Sequence, residues 1–303
     1  MRIGGFLAGA VALSAMWATG ASALADVQAR GGWASSLDDF PFAIDVPSDA
    51  VLHADYGNGA FGELDVAVDV LGFGIEAGAD FALLDEATHS GGPLDNDCGT
   101  GADPILGLID DCFDRVTVDV DTQVITADLL LTKEFALIPK LRLAFGATGL
   151  FLDSEIDSEN IFIGGTENVV DRDTSLDAYG VKAGLEHSLP IMNTGLSLNT
   201  EVYGAWVWGE RTVDIFDQET INGAPSGDDA ALFVDDIDVP VLDAAASLSY
   251  KVSPVISLEV GGKYRKLFGA MFTADTINPG SGIGGDSEDL DYWAVFGGVT
   301  FSL

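Results

Sequence analysis

Positive charge is scarce in this 303-residue chain: 13 Lys and Arg stand against 49 Asp and Glu, for a formal net charge of -36. Binding a phosphate backbone needs a basic surface, so nucleic acid is excluded as a partner. Charged residues make up only 20% of the chain while hydrophobic residues reach 48%. That balance excludes a disordered acidic protein, which lacks apolar mass. Histidine occurs three times (His53, His89, His187) and cysteine twice. The 37 glycines show no fixed period, which excludes collagen and simple repeat arrays. After the first 25 residues no run reaches 18 consecutive apolar residues, so no transmembrane helix is available there.

The first 25 residues read as a signal peptide. Arg2 is a minimal charged start, Ile3 to Ala18 is apolar or small, and Ala23-Leu24-Ala25 fits the A-x-A cleavage pattern. Removing it leaves residues 26–303 and a formal charge of 12 minus 49, or -37. In an oxidising compartment Cys98 and Cys112, 14 positions apart, are expected to close one loop disulfide, a constraint of about 3 kcal/mol in the chain-entropy model. No Cys-x-x-Cys pair or neighbouring histidine points to a metal instead.

The rest of the chain repeats one pattern, 10 to 15 residues alternating apolar with polar or small residues. This is the period of a strand with two chemically different faces. Leu64, Val66 and Val68 oppose Glu63, Asp65 and Asp69; Phe73, Ile75 and Phe81 oppose Glu76 and Asp80. Similar runs recur to the final one, where Trp293, Val295, Val299, Phe301 and Leu303 share a face. Connections alternate between short turns and long stretches at about 38–61, 85–115, 154–173, 210–236 and 269–289. The expected fold is all-β, a transmembrane up-and-down antiparallel barrel of about ten strands (8 or 12 being alternatives) with long acidic extracellular loops. Residues 42–46 with 51–56, or 212–216 with 231–234, are candidate extra hairpins. Trp33, Phe81, Phe151, Trp206, Trp208, Phe268 and Trp293 then fall at the outer end, and Phe73, Phe135, Tyr250 and Phe301 at the periplasmic end, as interfacial girdles require.

The long connections are acidic. Asp85 to Arg115 has eight acids and one base, Asp153 to Asp177 eight and one, and Glu210 to Asp238 nine and one. Such density repels itself unless cations or water neutralise it. It suits a cation-concentrating vestibule, a surface holding divalent ions between lipopolysaccharide phosphates, or a solvated exterior. Loose divalent binding by these carboxylates is the sole cofactor expectation; Asp153 to Glu159 lacks the glycine and terminal glutamate of an EF-hand loop.

Facing inward, the alternation places Asp65, Asp69, Glu76, Asp80, Arg142, Lys182, Glu186, Glu201, Asp243, Glu259, Lys263 and Arg265, with Arg30 and Asp128. In a barrel this narrow they either pair into a satisfied network or line a thin aqueous path. No catalytic constellation emerges. His187-Ser188 falls on a periplasmic turn, and His53 with Asp55 or His89 with Asp85 form no recognisable motif. The expectation is therefore no enzymatic activity.

Three stretches resemble the pore-forming major outer-membrane proteins of Gram-negative bacteria. They are Leu141-Arg142-Leu143-Ala144-Phe145-Gly146 leading to Leu152-Asp153; Asp177 to Glu186 with Ser188-Leu189-Pro190 and Gly195-Leu196-Ser197-Leu198; and Val239-Pro240-Val241-Leu242 with Ser247 to Tyr250 and Gly262-Lys263-Tyr264-Arg265. Gly298, Phe301 and Leu303 also resemble the terminal signal read by the barrel-assembly machinery, although Phe296 stands where a polar residue is usual and the last residue is Leu rather than Phe. The resemblance implies a porin-like, membrane-embedded pore, with outer-membrane lipid, lipopolysaccharide, periplasmic chaperones and the assembly machinery as partners. The expected function is a passive, narrow, cation-preferring channel. A non-conducting structural or adhesin-type barrel with acidic surface loops is the alternative.

Overall fold

The computed structural model describes residues 25–37, 39–45, 50–70, 72–87, 113–135, 138, 140–162, 166–192, 194–221, 224–278 and 282–303. Cys98, Cys112 and His89, and the expected signal peptide apart from Ala25, lie outside them.

The described elements are all strands: β1 (Ala25–Ser36), β2 (Asp39–Asp45), β3 (Ala50–Asp55), β4 (Asn58–Val70), β5 (Phe73–Ala87), β6 (Phe113–Glu134), β7 (Leu141–Phe162), β8 (Thr166–Ile191), β9 (Leu196–Ile221), β10 (Ala224–Ser253), β11 (Ile256–Asn278) and β12 (Gly282–Ser302). Ten of them close an antiparallel barrel in the order β1-β12-β11-β10-β9-β8-β7-β6-β5-β4, while β2 and β3 pair separately as a hairpin. Closure runs through β1, whose Arg30 faces Gly298 of β12 on one side and Glu63 of β4 on the other. No edge is then left within lipid, where an unpaired backbone group is costly. Of the two candidate hairpins, the first is β2–β3. The second is real pairing but part of the barrel wall, since Val213 faces Phe233 as a continuation of β9 and β10.

The short turns need left-handed backbone that glycine supplies most cheaply: Gly72 between β4 and β5 has φ +84°, and Gly195 between β8 and β9 has φ +77°. At the other end the strands run far beyond the 9–11 residues needed to cross a bilayer. β9 has 26 residues and β10 has 30. Beyond Trp208, which faces Asp238, the β9–β10 hairpin adds on the order of 50 Å of extended chain per strand. The described residues of the acidic stretches 154–173, 210–236 and 269–289 are thus largely paired strands rather than long loops.

Exposed apolar side chains on the outer face form a band. Leu129, Phe145, Val181, Leu185, Val202, Leu242, Leu258, Val260 and Val295 lie between an outer girdle (Trp33, Phe81, Tyr179, Trp206, Trp208, Phe268, Trp293) and an inner one (Phe73, Phe135, Tyr250, Phe301). A closed barrel with an apolar outer band and aromatic borders is a transmembrane barrel of the outer-membrane type.

Candidate functional site: the barrel lumen

The inner face of the short-turn half is ionic. Arg30 donates to Glu63 (2.5 Å), Glu201 (2.8 Å) and Glu259 (3.2 Å), and Gln28 and Ser247 donate to the same Glu259 carboxylate. Lys263 lies 2.7 Å from Glu63 and 3.0 Å from Asp80. The fully buried Arg265 guanidinium spans Asp80 (2.5 and 2.9 Å) and Asp243 (2.5 and 3.2 Å), with further donation to Thr126 and Tyr292. Lys182 bridges Asp128 (2.5 Å) and Asp243 (3.3 Å). Arg142 meets Glu76 (3.2 Å) and Glu186 (3.3 Å), and the Tyr203 hydroxyl donates to Glu186.

Strand register explains much of this. Asp243 faces Arg265 across β10–β11, Arg142 faces Glu186 across β7–β8, and Glu63 faces Arg30 across β1–β4. Opposite charges at facing positions on the inner side find each other with little rearrangement. Buried charges are tolerated because each is paired and hydrogen-bonded. Ten of the twelve expected lumen residues join this cluster, and Asp65 lines the same inner space beside Glu63. Asp69 is exposed near the short-turn end of β4. Glu63, a hub bound to two cations, was not singled out from the sequence; its spacing of two from Asp65 was the available signal.

Above the ions lies an apolar layer that alternation alone does not reveal. Ala34, Phe61, Leu84, Val124, Leu150, Leu176, Val207, Val241, Leu267 and Leu290, one from each barrel strand, belong to one buried cluster completed by Tyr292 and Phe296. Phe296, the departure from the terminal signal, points inward: it lies 6.2 Å from Phe61, and the Arg30 guanidinium stands 4.9 Å over its ring. Gly298 leaves room for Arg30, whose Cγ would be 3.0 Å from an added Cβ; Phe301 and Leu303 face outward. Higher still, Arg211 donates to Asp235 (2.8 and 3.1 Å) and to the Met271 carbonyl (2.8 Å), tying β9, β10 and β11 together.

A cavity of about 220 Å³ opens at the short-turn end and penetrates the ionic half. His187 and Ser188 line it. On the outside of the wall, register aligns acids in rows: Asp85, Asp121, Glu155, Asp173 and Asp214 face one another in sequence across β5 to β9. Asp119, Asp157 and Asp171 form a second row across β6 to β8. Burial, then the neighbouring Asp171 and Glu155, raises the Asp157 carboxyl above the ordinary aspartate range. Burial and Asp214 do the same at Asp173.

No family model and no curated protein matches this chain. Solved structures do. The chain is similar to the outer membrane protease OmpT from Escherichia coli (10% identity, 93% of this chain and 96% of that one, TM-score 0.46), to Neisserial surface protein A (9%, 93% and 98%, 0.25) and to the Pseudomonas putida toluene transporter TodX (8%, 93% and 89%, 0.29). All are outer-membrane barrels, and the likeness is one of fold. The expectation of no enzymatic activity is corrected here, because a protease stands among these structures; the likeness names no reaction for this chain. No family model confirms the narrower resemblance to major pore-forming proteins; what is shown is the closed ten-stranded barrel fold.

Proposed function

We propose that this chain is an outer-membrane barrel whose lumen is closed to passive diffusion in this conformation, and that it carries an acidic extracellular wall as its working surface. The observation that carries this reading is the apolar layer, to which all ten barrel strands contribute and in which Leu84, Leu176, Leu267 and Leu290 are fully buried. A continuous ion path needs hydrated polar lining or a wettable constriction. Five aliphatic and aromatic strand faces meeting five others leave neither. The ion network below adds a second obstruction, because moving an ion through it means breaking buried pairs.

The wall supports the outward role. Rows of facing carboxylates repel one another unless counter-ions screen them. Divalent cations shared with the phosphates of the surrounding lipopolysaccharide leaflet satisfy both sides. The decisive experiment is single-channel recording of the refolded chain in a planar bilayer under a salt gradient. A heat-modifiable, folded barrel should give no steps. Reproducible steps with cation-selective reversal would overturn the closed-lumen reading in favour of a narrow cation-preferring channel.

A further inference from the structure

The extracellular wall has an open seam between β10 and β11. The two strands pair only from Val241 and Leu267 towards the short turns. Just beyond, Pro240 has no N–H to give a ladder. β11 breaks register with β12 between Leu267 and Met271, with Gly269 at φ +66°. β11 then leans into the barrel mouth, where Phe272 stacks on Phe233 at 5.4 Å and packs with Val170, Val213 and Ile215 on the inner side of β8 and β9. Arg211 caps the β11 side of the split by donating to the Gly269 and Met271 carbonyls (3.4 and 2.8 Å). The β10 side keeps its ladder with β9 up to Ala224, but among the described residues no strand pairs with its other side above Val241.

Such an edge is a row of N–H and C=O groups open to another chain, and native sheets blunt it with Lys, Pro or a covering element. From Ala230 to Val239, β10 has no Lys, Arg or Pro. Its outer face runs Leu232, Val234, Asp236 and Asp238, all exposed, with Leu232 at 67% and Val234 at 51%. Val234 faces Thr212 of β9. That position is about 13 Å of extended chain beyond Trp208 of the outer girdle, so hydrocarbon does not cover it. Asp236 faces Glu210, a like-charged pair with no cation among the described residues.

We propose that this edge accepts an added strand from a basic, extended segment of another protein, running antiparallel to β10. Main-chain hydrogen bonds supply the affinity, and alternate side chains supply the specificity. Read from its own N-terminus, the added strand sets Lys or Arg beside Asp238 and Asp236, then β-branched residues beside Val234 and Leu232. A second copy of this chain fits worse. With the two-fold axis on Val234, Leu232 would face Asp236, and two chains of formal charge -36 repel each other. The inference does not rest on the closed lumen, because it is read from peptide bound outside the barrel and not from current.

The test uses a labelled, end-blocked peptide Lys-Thr-Lys-Thr-Val-Thr-Val and the refolded full chain in an uncharged detergent at physiological ionic strength. Fluorescence anisotropy should show saturable binding of one peptide per barrel, and amide hydrogen exchange should slow in Ala230 to Val239. Methylating one alternate set of the peptide's backbone nitrogens should weaken binding about tenfold or more, while methylating the other set leaves it intact, because only every second N–H of an added strand points at its neighbour. Leu232→Lys with Val234→Lys, both at exposed positions, should also weaken binding about tenfold or more. Absence of saturable binding, equal binding of the two methylated peptides, or protection confined to other strands would each overturn the proposal. So would concentration-dependent protection of β10 without peptide, which would give the edge to a second copy.

Discussion

Replacing Arg265 by methionine should be the most damaging single change in the lumen. Its guanidinium is fully buried and makes four hydrogen bonds to Asp80 and Asp243, with two more to Thr126 and Tyr292. Methionine fills much of the volume but leaves two buried carboxylates each short of one cation. Asp80 retains Lys263 at 3.0 Å and Asp243 retains Lys182 at 3.3 Å, so neither is wholly unpaired. Four bonds at about 1.5–3 kcal/mol each give a gross loss of roughly 6–12 kcal/mol. Dehydrating the guanidinium offsets a large part of it, and removing one partner of a buried pair costs about 3–5 kcal/mol net. We therefore expect about 3–5 kcal/mol of destabilisation, read by urea unfolding of the barrel in lipid vesicles from tryptophan fluorescence and the cold gel-mobility shift. Adding Asp243→Asn to Arg265→Met should recover part of the loss, because the orphaned charge goes with it. A loss below about 1 kcal/mol, in the range of solvent-exposed pairs, would mean the lumen is hydrated, and the network reading would fail.

Other changes separate wall from lumen. Gly180→Ala should destabilise by about 1–3 kcal/mol through overpacking, because its Cβ would fall 1.9 Å from the Trp206 carbonyl oxygen, whereas Gly204→Ala, with nothing within 4 Å, should be neutral in the same unfolding assay. Asp157 and Asp173 have raised folded-state pKa values, so their ionisation destabilises the wall; stability should rise as pH falls from neutral towards the ordinary aspartate range near 4, seen as slower β7–β8 amide exchange after correction for intrinsic rates. Asp173→Asn should flatten that dependence; an unchanged profile would remove these groups as its cause. Millimolar Mg²⁺ should slow proteolysis of the β6–β9 wall and a chelator should reverse the effect; the same protection in a variant with Asp121, Glu155 and Asp173 all neutralised would locate the ion elsewhere.

The membrane-spanning part of the fold was legible because lipid enforces strict alternation. Val181 or Val202 outside and Lys182 or Tyr203 inside leave no ambiguity of face. The wall beyond the bilayer was not, because both of its faces depart from that code. Asp153, Glu155, Asp157 and Glu159 occupy the outer face where β-propensity is low, and Ser154 and Ser158 share the inner face with Ile156. Read singly, such a stretch is a charged loop; paired in register with Asp171 and Asp173, it is a strand. The apolar layer was hidden for a different reason. Leu150 and Leu267 each precede an aromatic residue, Phe151 and Phe268, so the local pattern blurs the inward face, whereas Leu176, between Ser175 and Asp177, reads as a lone apolar residue in a polar stretch. Only the cross-barrel neighbours establish that these side chains meet at the centre.

The apolar layer and the ion network constrain each other. Charges such as Asp80 and Arg265 gain from pairing in proportion to the exclusion of water, since the effective dielectric sets the strength of each contact. Leu267, two residues beyond Arg265 on the same face of β11 and fully buried, supplies that exclusion from above. Below, the open cavity lets water reach Arg142 and Glu201, whose side chains remain 39% and 27% exposed. The lumen is thus graded, from carboxylates that water can reach to dry pairs that hold strands together. Arg265, fully buried and outside the cavity lining, therefore acts by holding strands together. Glu201, at the wet end, keeps 27% of its side chain exposed and can exchange its Arg30 partner for water.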